Sequence, residues 1–419
     1  MKTRLTLAIL FQFFLMPCML LAAGKRDAMW KEVTDAEGKG LPKTAIEKLG
    51  PIIQQAMAEK AYPEAIKAVA RKIAFEGQIE GQKAEEKITR LEAEIAKAPK
   101  EMVPVMDAIL ADWYWHYFQQ NRHRFMQRTA VAIPGLEAPD DAGAAAGNTK
   151  PGKDITSWDL PRIFAEIDKQ FTKALSAEPE LKKIKVADYD QLLQKGTVPD
   201  SYRPSMFDFI AHEALAFYTS GEQAGSKAED SFEISAESPI FAAPAEFLKW
   251  EPATTDKDSI SLKAIRLYQN LMRFHAEDAD KSALLHGDLE RLILGKNKAF
   301  GEEKNARYKA ALKRFVDEWA DHEISAWARS EWAHVLHGEN ELVEAHKIAK
   351  QGEQTYPNSI GGKMCFNLVR QIEAKSSRVE TERVWNAPLP TIDVHYRNLT
   401  DIHFRLVKMD WVDRVKRSQ

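Results

Sequence analysis

Residues 388–411, PLPTIDVHYRNLTDIHFRLVKMDW, decide how the rest of the chain is read. Apolar and polar residues alternate through Ile392, Val394 and Tyr396, and again through Ile402, Phe404 and Leu406. Successive side chains on an extended strand point to opposite faces, so this period of two predicts strands. Asn398-Leu399-Thr400-Asp401 between them has turn composition, and the local expectation is a β-hairpin over 391–408. Two strands alone are marginal in water. The hairpin is therefore expected to open a β-domain, at 385–419, that the 419 residues do not complete.

Upstream the period is helical. Thr44 is a candidate cap with Glu47 three residues on, and Ala45, Leu49, Ile52 and Ala56 follow at helical spacing. Ala61-Tyr62-Pro63 marks a turn and restart, and Ala65, Ala68, Ile73 and Phe75 continue on a second helix. Small alanines at the contact positions predict an antiparallel pair, and the Tyr62–Ala65 spacing loosely fits a tetratricopeptide-like repeat. A charged amphipathic helix is expected over 85–98. An aromatic helix is expected over 104–128, with Leu110, Tyr114, Phe118 and Phe125 on one stripe and Ile109, Trp113 and Tyr117 on the next.

Prolines and glycines from Pro134 to Gly152 interrupt the pattern and predict a mobile linker at 129–156. Ser157-Trp158-Asp159-Leu160-Pro161 reads as a capped helix start, and another helix covers 206–222. The irregular insert at 224–259 is expected to wrap the helices as extended chain. Further helices are predicted at 261–276, 279–295, 302–319, 322–336, 340–355 and 358–374. The expected organisation is a signal peptide at 1–24, a helical block at 25–128, the linker, a tetratricopeptide-like stack of α-hairpins at 157–376, and the incomplete β-domain.

Hydrophobic content of 44% and charged content of 29% fit a globular chain, and a net charge of −3 gives nucleic-acid binding no support. Lys2 and Arg4, the apolar run 5–21, and Ala22-Ala23-Gly24 follow the plan of a secretory signal peptide, cleaved after Ala23 or Gly24. Pro17 breaks the run and argues against a membrane anchor. Leu15-Met16-Pro17 before Cys18 is a poor lipid-attachment motif. A periplasmic or secreted location is expected. Cleavage leaves Cys365 alone, without an intramolecular disulfide partner, and its expected role is a buried apolar one.

Candidate chemistry is sparse. His212-Glu213 and His322-Glu323 each lack the second histidine one turn on that a zinc-protease helix requires, and both read as helix-surface or interhelix histidines. His334, His337, His346 and Cys365 are of zinc-binding type, but their spacing matches no compact zinc motif. The aromatic–basic run at 113–128 could stack nucleobases, yet aromatics at helical spacing are core, with Arg122, Arg124 and Arg128 expected to cap carbonyls or pair with acids. Glu85-Glu86 and Glu302-Glu303 read as solvated faces, and the sequon at Asn398 as a turn. No catalytic residue, cofactor site or metal site is expected, nor a small-molecule substrate.

The stretches LPKTAIEKL, EEKITRLEAEIAKAP, WYWHYFQQNRHRFMQR, DSYRPSMFDFIAHEAL and TIDVHYRNLTDIHFRLVKMDW resemble the N-terminal region of large bacterial α2-macroglobulin-like proteins, also described as large extracellular α-helical proteins. The resemblance spans the mature chain in separate motifs, none of them catalytic. It implies a helical region leading into the first of several macroglobulin β-sandwich domains. It also implies membership of an extracytoplasmic protease-trap family, in which a bait region is cleaved and, in many members, an internal thioester captures the protease. That thioester needs Cys-Gly-Glu-Gln. Here Gly221-Glu222-Gln223 follows Ser220 and Gly352-Glu353-Gln354 follows Gln351, so no thioester is expected. The expected function is a non-catalytic, truncated N-terminal part of such a protein, meeting proteases or other extracytoplasmic proteins once completed to full length. The alternative is an autonomous periplasmic tetratricopeptide-like scaffold that binds a protein or peptide.

Overall fold

The computed structural model describes residues 26–81, 83–131, 155–222, 232–381, 391–405 and 416. The expected signal peptide and most of the expected linker lie outside them. Among the described residues the fold is mainly helical, with sixteen α-helices and one two-stranded antiparallel sheet. Two compact units divide at Ala311/Leu312.

The first unit opens with helices α1 (Asp27–Gly38), α2 (Pro42–Ala58) and α3 (Tyr62–Ile79). Helix α1 lies ahead of the first helix that the periodicity marks. Each link in this series is three residues long and closes the same way. The amide of the third residue bonds five back, Leu41 to Ala36 and Ala61 to Ala56, and that of the middle residue bonds three back, Gly40 to Glu37 and Lys60 to Met57. This paired closure satisfies the last carbonyls of the helix and needs a left-handed middle residue. Gly40 has φ +68° and Lys60 +58°. Five residues beyond each left-handed position stands a fully buried alanine, Ala45 and Ala65. Val33, Leu49, Ile52 and Phe75 fill the core between these helices.

Helices α4 (Ala84–Ile95), α5 (Val103–Gln120) and α6 (Arg122–Val131) follow. The single helix expected over 104–128 is thus two, divided at Asn121, whose amide Nδ2 donates back to the Tyr117 carbonyl. Helix α7 (Leu160–Leu175) starts as expected, with the Asp159 carboxylate accepting from the Arg162 amide at 3.0 Å. It packs on α5, and with α9 (Met206–Tyr218) it encloses an aromatic core. Phe118 meets Phe164 at 4.8 Å and Trp115 meets Phe217 at 5.2 Å, both edge to face. Such pairs add to the burial of large rings, so the aromatic stripe is core. The short α8 (Glu178–Leu181) lies between α7 and α9, and α9 stops four residues before its expected end at 222.

Of the irregular insert, 232–259 is described, and it is not simply extended chain. It holds a 3-10 turn (Pro239–Phe241) and α10 (Pro244–Lys249). Phe247 of α10 buries itself against α11 (Ile260–Phe274), and Ile240 and Phe241 against α12 (Ser282–Lys298). Arg291 of α12 fixes the insert: its side chain is wholly buried, bonds Asp288 at 2.7 Å, and donates to the carbonyls of Ile240 (2.6 Å) and Ala242 (2.7 Å). Gly295 leaves room for Phe241, because a Cβ there would stand 2.6 Å from the ring.

The division between units falls within α13 (Lys304–Glu318). The second unit then comprises α14 (Ser325–Gly338), α15 (Leu342–Thr355), α16 (Ile360–Glu373) and strands β1 (Ser376–Thr381) and β2 (Ile392–Arg397). The α14–α15 link repeats the closure of the first unit: Glu341 bonds to Leu336 and Asn340 to His337, with Asn340 at φ +66° and fully buried Ala345 five residues on. Cys365 is buried in the core of these three helices, as expected.

The sheet corrects the expected hairpin. Strand β2 pairs not with 402–406 but with β1, in the register Ser377↔Tyr396, Val379↔Val394 and Thr381↔Ile392. Residues 401–405 carry no strand, and 406–415 lie outside the described residues. The cause lies at Asn398, which adopts the left-handed turn conformation (φ +55°) but spends its amide on the end of α16. Its Nδ2 donates to the Ile372 carbonyl at 2.7 Å and the Ala374 carbonyl at 3.3 Å, while Arg397 donates to the Gln371 carbonyl at 3.0 Å. Carbonyls at a helix end lack intrahelical partners, so the segment after β2 is held as a cap.

Candidate functional site

The capping box at the start of α9 anchors a buried chain of polar side chains in the first unit. Ser205 Oγ and its amide both donate to Asp208 Oδ2 at 2.8 Å, and the Asp208 amide donates to Ser205 Oγ. The other Asp208 oxygen lies 2.7 Å from His275 Nε2, at the end of α11, and His275 Nδ1 lies 2.6 Å from Asp278. Burial opposes charge on His275, but bonds to two carboxylates outweigh it and raise its pKa. The order of partners is serine–aspartate–histidine. A nucleophilic serine needs its hydroxyl on the imidazole, so this chain of bonds joins helices and activates no nucleophile.

One turn further along α9, His212 is buried and meets α12. His286 and Glu290 stand one helical turn apart on α12 and face it. The His212 and His286 rings meet edge to face at 4.9 Å. His286 Nε2 lies 3.4 Å from Glu290 Oε1, and His212 Nδ1 lies 3.8 Å from Glu290 Oε2. One ligand atom from each of the three residues falls within 4.8 Å of the others. Arg203 approaches the same carboxylate at 3.3 Å, Tyr268 is buried beside it, and the Tyr202 ring packs on His286 at 5.3 Å. Arg203 also lines a cavity of about 350 Å³ together with Asp190, Lys195, Asp200 and Phe209.

The charges are interdependent. Burial alone would raise the Glu290 pKa, but the adjoining His286 and the Arg203 guanidinium overcome it and hold the carboxyl well below its usual range. Burial, and then Arg203, push His212 well below the ordinary histidine value, so its imidazole is neutral at pH 7. Two imidazoles and a carboxylate are a ligand set for a borderline divalent ion.

The residues singled out from sequence have other places. His212 is the interhelix histidine of that expectation, and its partners were invisible because Glu290 lies far along the chain. His322 is in the turn before α14, where its Nδ1 accepts from the Ile324 amide at 3.2 Å. His334 bonds the Ser330 carbonyl, His346 bonds Glu373, and Cys365 donates to the Ala326 carbonyl; with His337 they form no converging ligand group among the described residues. Burial pushes the Cys365 thiol up to about 12, so it stays protonated. Arg122 pairs with Glu222 as expected of it, at 2.8 Å. Arg124 instead donates to the Tyr117 hydroxyl and lies over the Phe125 ring, while the Arg128 side chain lies outside the described set. Gly352 of the second Gly-Glu-Gln run is a packing glycine, where a Cβ would meet Cys365 Sγ at 2.6 Å.

Among the described residues no helix is long and apolar enough to cross a membrane. No protein-family model matches the chain, and no curated protein matches it.

Proposed function

We propose that the chain is the non-catalytic helical N-terminal region of an extracytoplasmic α2-macroglobulin-like protein, and that the β1–β2 ribbon begins a β-domain completed by further strands. The observation that carries this reading is the ribbon itself. Its register puts Val379, Val394, Ile392 and Tyr396 on one face and Arg378, His395, Glu380 and Asp393 on the other. Val379 is 50% exposed and Tyr396 64%, and among the described residues no element covers the apolar face. Two-stranded ribbons with one open apolar face gain stability from added strands or a packed sheet. The ribbon is also aimed by bonds to α16, which suits a junction between helical and β regions. The three identical link closures support tetratricopeptide-like stacking of α-hairpins.

A helical region of this kind traps nothing by itself. Purified chain added to an endoprotease acting on a large protein substrate should leave the rate unchanged and form no covalent adduct. Stoichiometric inhibition would overturn the reading. The alternative, an autonomous scaffold that adds its ribbon to a partner's sheet edge, rests on the same open face, and isolation of a stable complex with one unrelated protein would favour it.

A further inference from the structure

We propose that His212, His286 and Glu290 bind a first-row divalent ion of the zinc class, and that Arg203 is the group the ion must displace. This is independent of the reading above and departs from the expectation of no metal. Three observations carry it. Ligand atoms from two elements, α9 and α12, converge within 4.8 Å. The His212 side chain is 3% exposed, and its Nδ1, facing Glu290, makes no hydrogen bond. Buried nitrogens are nearly always satisfied, so this one lacks the partner that its burial calls for. The third observation is room: Arg203 lines the adjacent cavity, and its guanidinium can leave Glu290 without leaving the protein.

Imidazole nitrogens select zinc, cobalt, nickel or copper over calcium and magnesium, which prefer all-oxygen shells. Three protein ligands leave a fourth position open, and the cavity side is where water or a small carboxylate would fill it. Arg203 presently neutralises Glu290. A divalent ion beside that guanidinium would be repelled, so occupancy requires the ion and the arginine to exchange. Binding is thereby tuned by one residue that is not itself a ligand.

The test is titration of the 419-residue chain with Co²⁺ and Zn²⁺, read by visible ligand-field absorption and calorimetry. One equivalent of Co²⁺ should bind, without the intense thiolate bands that Cys365 would give, and Zn²⁺ should displace it. Glu290→Gln, which is isosteric, and His286→Ala should each weaken binding at least about tenfold. Arg203→Met should tighten it at least about tenfold by removing a like charge. Cys365→Ser and His334→Ala should change nothing. Circular dichroism checks the fold of each variant, and Arg203→Met keeps a gain-of-affinity readout if a ligand variant unfolds. No saturable uptake by the native chain, uptake that survives both Glu290→Gln and His286→Ala in folded protein, or no gain in Arg203→Met overturns the proposal.

Discussion

Asn398 Nδ2 donates to the Ile372 carbonyl at 2.7 Å, and through that bond the residue after strand β2 closes the end of helix α16. One side chain thereby sets both where the helix stops and where the ribbon points. Asn398→Ala should destabilise the second unit by about 1 kcal/mol, the net worth of such a bond. Ribbon amides should exchange faster while the α14–α16 core is unchanged, as read by hydrogen exchange and urea denaturation. The same geometry predicts that glycan attachment at Asn398 would disturb the cap, since one of its amide hydrogens would be lost.

Removing Arg291 should be far more costly. Arg291→Met strands the buried Asp288 carboxylate and the carbonyls of Ile240 and Ala242. A loss of about 3–5 kcal/mol is expected, measured by denaturant unfolding. Exchange should rise selectively across 232–259. A loss below about 1 kcal/mol would show that the insert holds without its staple.

Stability should depend on pH in two opposed ways. The His275 pKa is raised, so its contribution is complete below the unfolded value of 6.5 and is lost as pH rises through the folded value. The His212 pKa is lowered, so the unfolded chain takes up the proton first and stability falls as pH drops below 6.5. His275→Gln should flatten the alkaline side of the urea-midpoint profile and His212→Gln the acid side. Unchanged slopes in both would remove the assigned linkages.

Backbone fit gives a third contrast. Lys60 holds a left-handed conformation that glycine adopts freely, so Lys60→Gly should stabilise the first unit by about 1 kcal/mol. In the second unit a Cβ at Gly361 would come 2.0 Å from the Trp327 amide nitrogen. Gly361→Ala should therefore cost about 3 kcal/mol, because backbone and not a side-chain tip must move. Thermal unfolding of the two variants should shift in opposite directions.

What the sequence made legible is what short-range physics governs. Helical periodicity located α2, α3, α4, α7 and α11 to α16, and Asp159 announced its helix with a capping side chain. Strand β2 was legible from its alternation. Strand β1 was not, because Ser376-Ser377-Arg378-Val379-Glu380-Thr381 follows a helix directly and offers one aliphatic side chain. The break at Asn121 was hidden by aromatics that continue the stripe into α6. The histidine cluster was beyond reach for a different reason. His212 and Glu290 are brought together only by the packing of α9 against α11 and α12, and no spacing along the chain encodes that. The role of Arg291 is likewise not encoded locally, because the carbonyls that it binds belong to the distant insert.

On the proposed reading the β1–β2 ribbon is an unfinished sheet. Hydrogen exchange at 376–381 and 392–397 in the isolated, monomeric 419-residue chain decides this. These amides should exchange far faster than those of α14–α16, and become protected only when further strands are supplied. Protection equal to the helical core in the isolated monomer would contradict it.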